Sequence, residues 1–259
     1  DSMYTLCGKD RIHPSTDGHL VMAYLFLKAQ GLAGKPVADI RIDGAGKKVT
    51  RSDNCRVSDL SVSSDNLTFT YEAKSLPYPI DTSYYDNEKH TQADALSVIP
   101  FMDEMNYEGL SVSGLSDGYY GLTIGGEFIG RFTARELERG INMALLQNTP
   151  QYKQAMKIRQ MNEERWLKER KMREFYWVEY NLMRKTGMLW ACDEAAVDTL
   201  RKYRPHDIFL QWNGDLWLQY MHKGIREDCV NEQQDLVNQI YEQNKPIPLR
   251  IEIKKFTDL

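Results

Sequence analysis

The sequence predicts an α/β chain, or an α+β one where the chain is taken by itself, and three observations carry that expectation. An apolar run, LVMAYLFL at residues 20–27, sits inside a segment with helix start and stop signals. Residues 36–75 and 107–132 alternate apolar and polar side chains at the period of two that marks strands. From residue 133 to about 243 the pattern is mainly helical. The chain therefore reads in three parts: 1–34 with the first helix, 35–132 rich in strands, and 133–259 mainly helical.

Ser15, Thr16 and Asp17 follow Pro14 as N-cap candidates for the first helix, and Gly31 is its stop. Its middle is apolar on nearly every side, so burial is expected all round. VADIRID and LSVSSDNLTFTYEA predict short antiparallel strands joined by polar turns. Residues 76–106, with SLPYPIDTSYYDNEKHTQ, read mostly as a loop, and a connection that long is either functional or an excursion over the surface. A meander follows, with a turn at Ser116–Gly118 and a Gly125-Gly126 pair supplying the positive φ angles of a two-residue hairpin.

Thr133 and Glu136 have the spacing of a capping box and announce the next helix. Asn148 or Thr149 can cap the one after, with Pro150 at its first position and Gly187 closing it. Such a helix would run for about 37 residues, roughly 55 Å. Its charges alternate in sign, which reads as a solvated face beside a packing stripe of Met156, Met161, Trp166, Met172, Phe175 and Tyr176. The last strand, PLRIEIKKF, is expected to pair with one of the sheets.

With 33 basic and 37 acidic side chains, the net charge of −4 gives no field to gather nucleic acid, so no nucleic-acid partner is expected. The longest apolar run, between His19 and Lys28, is too short for a membrane span, and a soluble chain is expected. No signal peptide is visible in DSMYTLCGKD. Cys7, Cys55, Cys192 and Cys229 form no C-x-x-C pair, which argues against structural zinc. Pairing of Cys7 with Cys55 or of Cys192 with Cys229 is open, with buried free thiols the preferred reading. No cofactor and no metal centre are expected.

The chemistry concentrates in DRIHPSTDGH, residues 10–19. An imidazole takes a proton from a hydroxyl when its other nitrogen is held in the right tautomer, usually by a carboxylate. Asp10 and His13, three residues apart on a turn fixed by Pro14, can supply both groups. Two other readings stand beside this one: Asp and His capping a helix N-terminus, or Asp10, His13, Asp17 and His19 as metal ligands. On spacing alone, capping is preferred.

DRIHPSTDGHLVMAYLFLKAQGL resembles the last block of the SGNH, or GDSL-type, serine hydrolases, where Asp and His of the triad lie in D-x-x-H-P ahead of a Gly-His and a buried helix. YEGLSVSGLSDGYYGLTIGGEFIGRFTARELERGINMALLQNTPQYKQA resembles an extension in a bacterial subgroup of these enzymes. The likeness covers most of residues 4–175 and leaves the chain from 188 onward unplaced. It implies that residues 1–34 are the end of an SGNH-type three-layer domain, that His13 is a general base and Asp10 its orienter, and that ester hydrolysis proceeds through an acyl-enzyme. The implied substrates are short acyl esters, with acetylated carbohydrate among them, and the implied location is periplasmic or extracellular. His19 is expected to pack behind the loop.

The family's nucleophile lies in a Gly-Asp-Ser motif near the start of the domain, and here only nine residues precede Asp10. Ser2 follows Asp1 but leaves too few residues for the strands and helices that separate nucleophile from base. Ser111, Ser113 and Ser116 lie in or near the meander without a G-x-S-x-G elbow. Trp212-Asn213-Gly214-Asp215 reads as a tight turn or helix cap, Gly140-Ile141-Asn142 as helix packing, and His90, His206 and His222 as surface or core residues. The expectation is therefore a chain that contributes Asp and His while the N-terminal part of the same hydrolase supplies the serine. The alternative is a non-catalytic binding or structural module derived from that fold. An exposed apolar surface around residues 15–31 and 36–75 favours the first.

Overall fold

The computed structural model describes residues 5–8, 10–83 and 90–256. It is a mixed α/β structure with two sheets and a long helical region, arranged as two compact units, residues 1–156 with 244–259 and residues 157–243.

In the first unit, helix α1 (Thr16–Ala29) is followed by β1 (Ala38–Asp43), β2 (Lys48–Asp53), β3 (Cys55–Val62) and β4 (Asn66–Ala73). The 76–106 tract contains a 3₁₀ helix at Gln92–Ser97 and a short α2 (Phe101–Glu104). A capping box between Thr91 and Asp94 starts the first of these. Then come β5 (Glu108–Ser113), β6 (Tyr119–Ile124), β7 (Glu127–Thr133), α3 (Ala134–Arg139), β8 (Ile141–Asn142) and the start of α4 (Pro150–Val178). The last strand, β9 (Leu249–Lys255), belongs to the same unit.

One sheet has the order β2-β1-β5-β8 and the other β3-β4-β9-β6-β7. The expected antiparallel pairing holds for β1 with β2 and β3 with β4, whereas β1 and β5 run parallel, in register from Ala38 opposite Glu108 to Asp43 opposite Ser113. PLRIEIKKF pairs on both sides, with β4 and β6. The Gly125-Gly126 turn has both residues at positive φ, and Thr133 and Glu136 form their capping box. Ile40, Ile42, Leu110 and Val112 of the first sheet share a core with Leu67, Phe69, Leu122, Ile124 and Ile251 of the second.

A separate cluster packs Leu20, Val21 and Tyr24 of α1 with Ile80, Ala95, Ile99, Phe101, Met102 and Ala144. Among the described residues, only this face of α1 is covered. Met22, Leu25 and Phe26 are 57%, 56% and 65% exposed, against the expectation of burial all round. The reason is geometric: Ile80, Ala95, Ile99, Phe101 and Met102 supply one layer, and one layer covers one stripe of a helix.

The second unit contains the rest of α4 with α5 (Glu194–Tyr203), α6 (Ile208–Tyr220) and α7 (Lys223–Gln243). Its core gathers Phe175, Val178, Met183, Ala196, Leu200, Leu210 and Trp217. Pairs such as Arg159–Glu163, Glu169–Arg173 and Arg170–Glu174 lie along α4 at the i,i+4 spacing of a solvated face. At Val178 the α-helix passes into a π turn at Glu179–Met183, closed by Arg184 N–H donating to the Glu179 carbonyl, and the chain turns out at Gly187, which has a φ of 76° while Met188 N–H donates to the Met183 carbonyl. That turn holds the Glu179 side chain in the core, where its Oε1 accepts from Trp217 Nε1 at 2.8 Å and its Oε2 from Trp190 N–H at 2.9 Å. No helix among the described residues is long and apolar enough to cross a membrane.

Candidate functional site

The Asp10–His13 loop is built from short-range bonds. Cys7 and Pro14 form an isolated antiparallel bridge, Gly8 N–H donates to the His13 carbonyl at 2.8 Å, and Arg11 N–H donates to the Gly8 carbonyl at 2.9 Å. Arg11 takes a left-handed φ of 57°, which turns the chain back on itself. Asp10 stabilises the turn through Oδ1, which accepts from the backbone N–H groups of Ile12 and His13 at 2.9 and 3.1 Å.

This leaves Oδ2 for the imidazole, and it lies 2.6 Å from His13 Nδ1. His13's ring and two backbone N–H groups, in that order of effect, hold the Asp10 carboxyl at about 2. The carboxylate is therefore ionised and can only accept, so Nδ1 carries the proton in the neutral imidazole and Nε2 keeps its lone pair. His13's side chain is 82% exposed, and among the described residues Nε2 meets no hydrogen-bond partner. A base with a fixed tautomer and an open proton-accepting nitrogen is the chemical content of the site.

The base of the loop is anchored on α1. Ser15 N–H and Oγ both donate to the Leu6 carbonyl, at 3.0 and 3.2 Å, and Ser15 Oγ also bonds Asp17, whose Oδ1 accepts from Gly18 N–H. Gly18 matters here through its missing side chain: a Cβ would stand 2.0 Å from the Leu6 carbonyl oxygen. The Asp-Gly-His of the sequence is thus a clamp for the preceding segment, with Ser15 as N-cap residue and Asp17 locking it.

The other residues singled out in the sequence are placed differently. His19 is exposed on α1 rather than packed behind the loop, and His206 and His222 are exposed. Ser116 Oγ meets Lys255 Nζ at 2.8 Å and Tyr120 OH at 3.1 Å, and Ser113 Oγ lies 3.5 Å from the Ile42 carbonyl. None of Ser111, Ser113 and Ser116 is hydrogen-bonded to His13, and Ser2 lies outside the described residues. Asn142 is fully engaged in holding the fold: Oδ1 accepts from Glu108 N–H and Ala144 N–H, and Nδ2 donates to the carbonyls of Met102 and Asn106.

Trp212-Asn213-Gly214-Asp215 lies inside α6 and is neither a turn nor a cap. Gly214 lets Arg204 lie against the helix, where it pairs with Asp215 at 2.6 Å. All four cysteines are unbridged; Cys55 and Cys229 are buried, Cys7 is half-buried and Cys192 is exposed. Among the described residues, no group of three or more His, Cys, Asp or Glu side chains is placed to hold a metal ion.

A family model described as the diltiazem deacetylase C-terminal helical domain matches residues 156–245, nearly the span of the second unit. A solved structure described as a gut microbial diltiazem-metabolizing enzyme superposes with a TM-score of 0.93 at 41% identity, over 99% of this chain and 58% of that one. The chain therefore spans a little over half the length of that solved relative. No curated relative matches.

Proposed function

We propose that this chain is part of a serine ester hydrolase of the SGNH type, that Asp10 and His13 are its orienter and general base, and that its substrates are acetyl esters. The observation that carries the reading is the Asp10 Oδ2 to His13 Nδ1 hydrogen bond of 2.6 Å beneath an exposed Nε2. In the reaction, Nε2 accepts the proton of a serine hydroxyl as its oxygen attacks the acyl carbonyl. The imidazolium then protonates the departing alcohol oxygen; in the second half the same nitrogen takes a proton from the attacking water and returns it to the serine oxygen as acetate leaves the acyl-enzyme. Asp10 remains a carboxylate throughout and stabilises the imidazolium that forms at each step.

The serine belongs to a Gly-Asp-Ser segment outside the described residues. The uncovered stripe of α1, with Met22, Leu25 and Phe26, and the exposed Ile12 beside His13, offer that segment an apolar seat. The likeness to a diltiazem-metabolizing enzyme and to a diltiazem deacetylase domain supports an acetyl ester as the bond cleaved. Diltiazem is therefore a probe of choice beside an acetylated sugar.

The test is hydrolysis of a short-chain aryl acetate and of diltiazem by this chain alone and with the Gly-Asp-Ser segment of its source gene supplied, with His13→Ala and Asp10→Asn alongside. Activity that requires the segment and is lost in His13→Ala supports the reading. Activity of the chain alone would contradict the placement of the serine, and silence in every combination would favour a binding module.

A further inference from the structure

Two acceptor oxygens on directly bonded residues of the first unit are buried without donors: Glu108 Oε2 and Gln151 Oε1. Their partner atoms are already bonded. Gln151 Nε2 donates to Glu108 Oε1 at 3.2 Å, and Tyr71 OH donates to the same oxygen at 2.8 Å. The carboxyl and the amide are thus joined through one oxygen and one nitrogen, and the remaining oxygen of each has no donor. A buried acceptor without a donor forfeits its hydration with nothing in return, so two on bonded residues call for a shared remedy.

We infer that Glu108 carries a proton in the folded protein and donates it to Gln151 Oε1, closing a two-way acid–amide pair that joins β5 to the start of α4. A single proton shared between them satisfies both orphaned oxygens. Tyr71 from β4 is the titratable group bonded to the pair, and burial pushes its hydroxyl far up, so it stays a donor. α4 presents Gln151, β1 presents Ala38 opposite Glu108, and β8 presents Asn142 to its backbone; none of these is charged. Cys55 acts on Tyr71 rather than on Glu108.

Burial, opposed by the bonds from Tyr71 and Gln151, pushes the Glu108 carboxyl from 4.5 up to about 7. A value near 7 means that the folded state holds this proton about 300-fold more tightly than the unfolded chain, or about 3 kcal/mol at 1.36 kcal/mol per tenfold. Because the folded value is raised, the stabilisation is fully present below pH 4.5, is lost as pH rises through about 7, and stays lost above it. This inference is independent of the hydrolase reading.

The test is residue-assigned carboxyl and amide NMR of the whole chain across pH 4–9, with urea unfolding of the wild type and of Glu108→Gln, whose amide imitates the protonated acid. The expected results are a Glu108 carboxyl midpoint near 7, a Gln151 side-chain amide resonance moving with the same midpoint, and an unfolding equilibrium that becomes up to about 300-fold less favourable to the wild-type fold, relative to Glu108→Gln, between pH 4.5 and 8. A Glu108 midpoint in the ordinary glutamate range would overturn the inference. So would a midpoint near 7 with a pH-insensitive Gln151. The wild-type titration decides the matter even where Glu108→Gln does not fold.

Discussion

Removing the carboxylate from Glu179 tests how the second unit is held together. Glu179 is buried in the π turn after α4, and its two oxygens take one donor each, Trp217 Nε1 at 2.8 Å and Trp190 N–H at 2.9 Å. Trp190 sits at a left-handed φ of 66°, so its N–H bond also fixes a backbone shape that side chains other than glycine's resist. A desolvated hydrogen bond to a charged group contributes about 1.5–3 kcal/mol. Glu179→Gln keeps one acceptor and turns an NH₂ group toward the other donor, so one bond is lost and a buried donor is left unpaired. The expected destabilisation is about 2–3 kcal/mol, and at an m-value of about 2 kcal/mol/M it lowers the urea midpoint by about 1 M. Fluorescence reports this unit selectively, because all five tryptophans (Trp166, Trp177, Trp190, Trp212 and Trp217) lie within residues 157–243. Glu179→Ala combined with Trp217→Phe, which together remove both sides of the bond, then isolates the pair, with a coupling of about 1.5–3 kcal/mol expected. An unchanged midpoint in Glu179→Gln, or purely additive single and double variants, would refute this account of the core.

Three further outcomes follow from the first unit. Asp10 should titrate at about 2 by carboxyl NMR and move only part of the way back toward 3.8 in His13→Ala, because the Ile12 and residue-13 backbone N–H groups remain; its contribution to stability is present above 3.8 and lost as pH falls through about 2. A midpoint that ignores the substitution would mean that the imidazole and carboxylate are not paired in solution. Gly18→Ala places a methyl 2.0 Å from the Leu6 carbonyl oxygen, so the clamp must open, and a loss of about 1–3 kcal/mol in thermal unfolding is expected. Asn142→Ala removes the bonds to Glu108, Ala144, Met102 and Asn106, and circular dichroism should record a loss of about 2–4 kcal/mol; a variant as stable as the wild type would show those groups satisfied some other way.

What could be read from the sequence was whatever lies within a few residues of itself. The Thr133–Glu136 box and the Gly125-Gly126 hairpin are closed by bonds spanning a few positions and were expected from local chemistry alone, whereas the Asp10–His13 pair, three positions apart, was singled out by the family resemblance where spacing alone favoured a cap. Glu108 with Gln151 and Glu179 with Trp217 are separated by 43 and 38 positions, and nothing near a lone glutamate tells that a tertiary contact will bury it. The parallel pairing of β1 with β5 is hidden for the same reason, since the antiparallel hairpin β1–β2 is the neighbour that the sequence makes visible. Apolar content misleads in the opposite direction on α1. Composition there reports what a surface would gain by being covered, not whether a layer exists to cover it, and the described residues cover one stripe and leave Met22, Leu25 and Phe26 in water. Burying those three would contribute roughly 1.5–3 kcal/mol each in proportion to the area covered. On the proposed reading, that energy would help seat the serine-bearing segment beside His13, whose Nε2 meets no partner among the described residues.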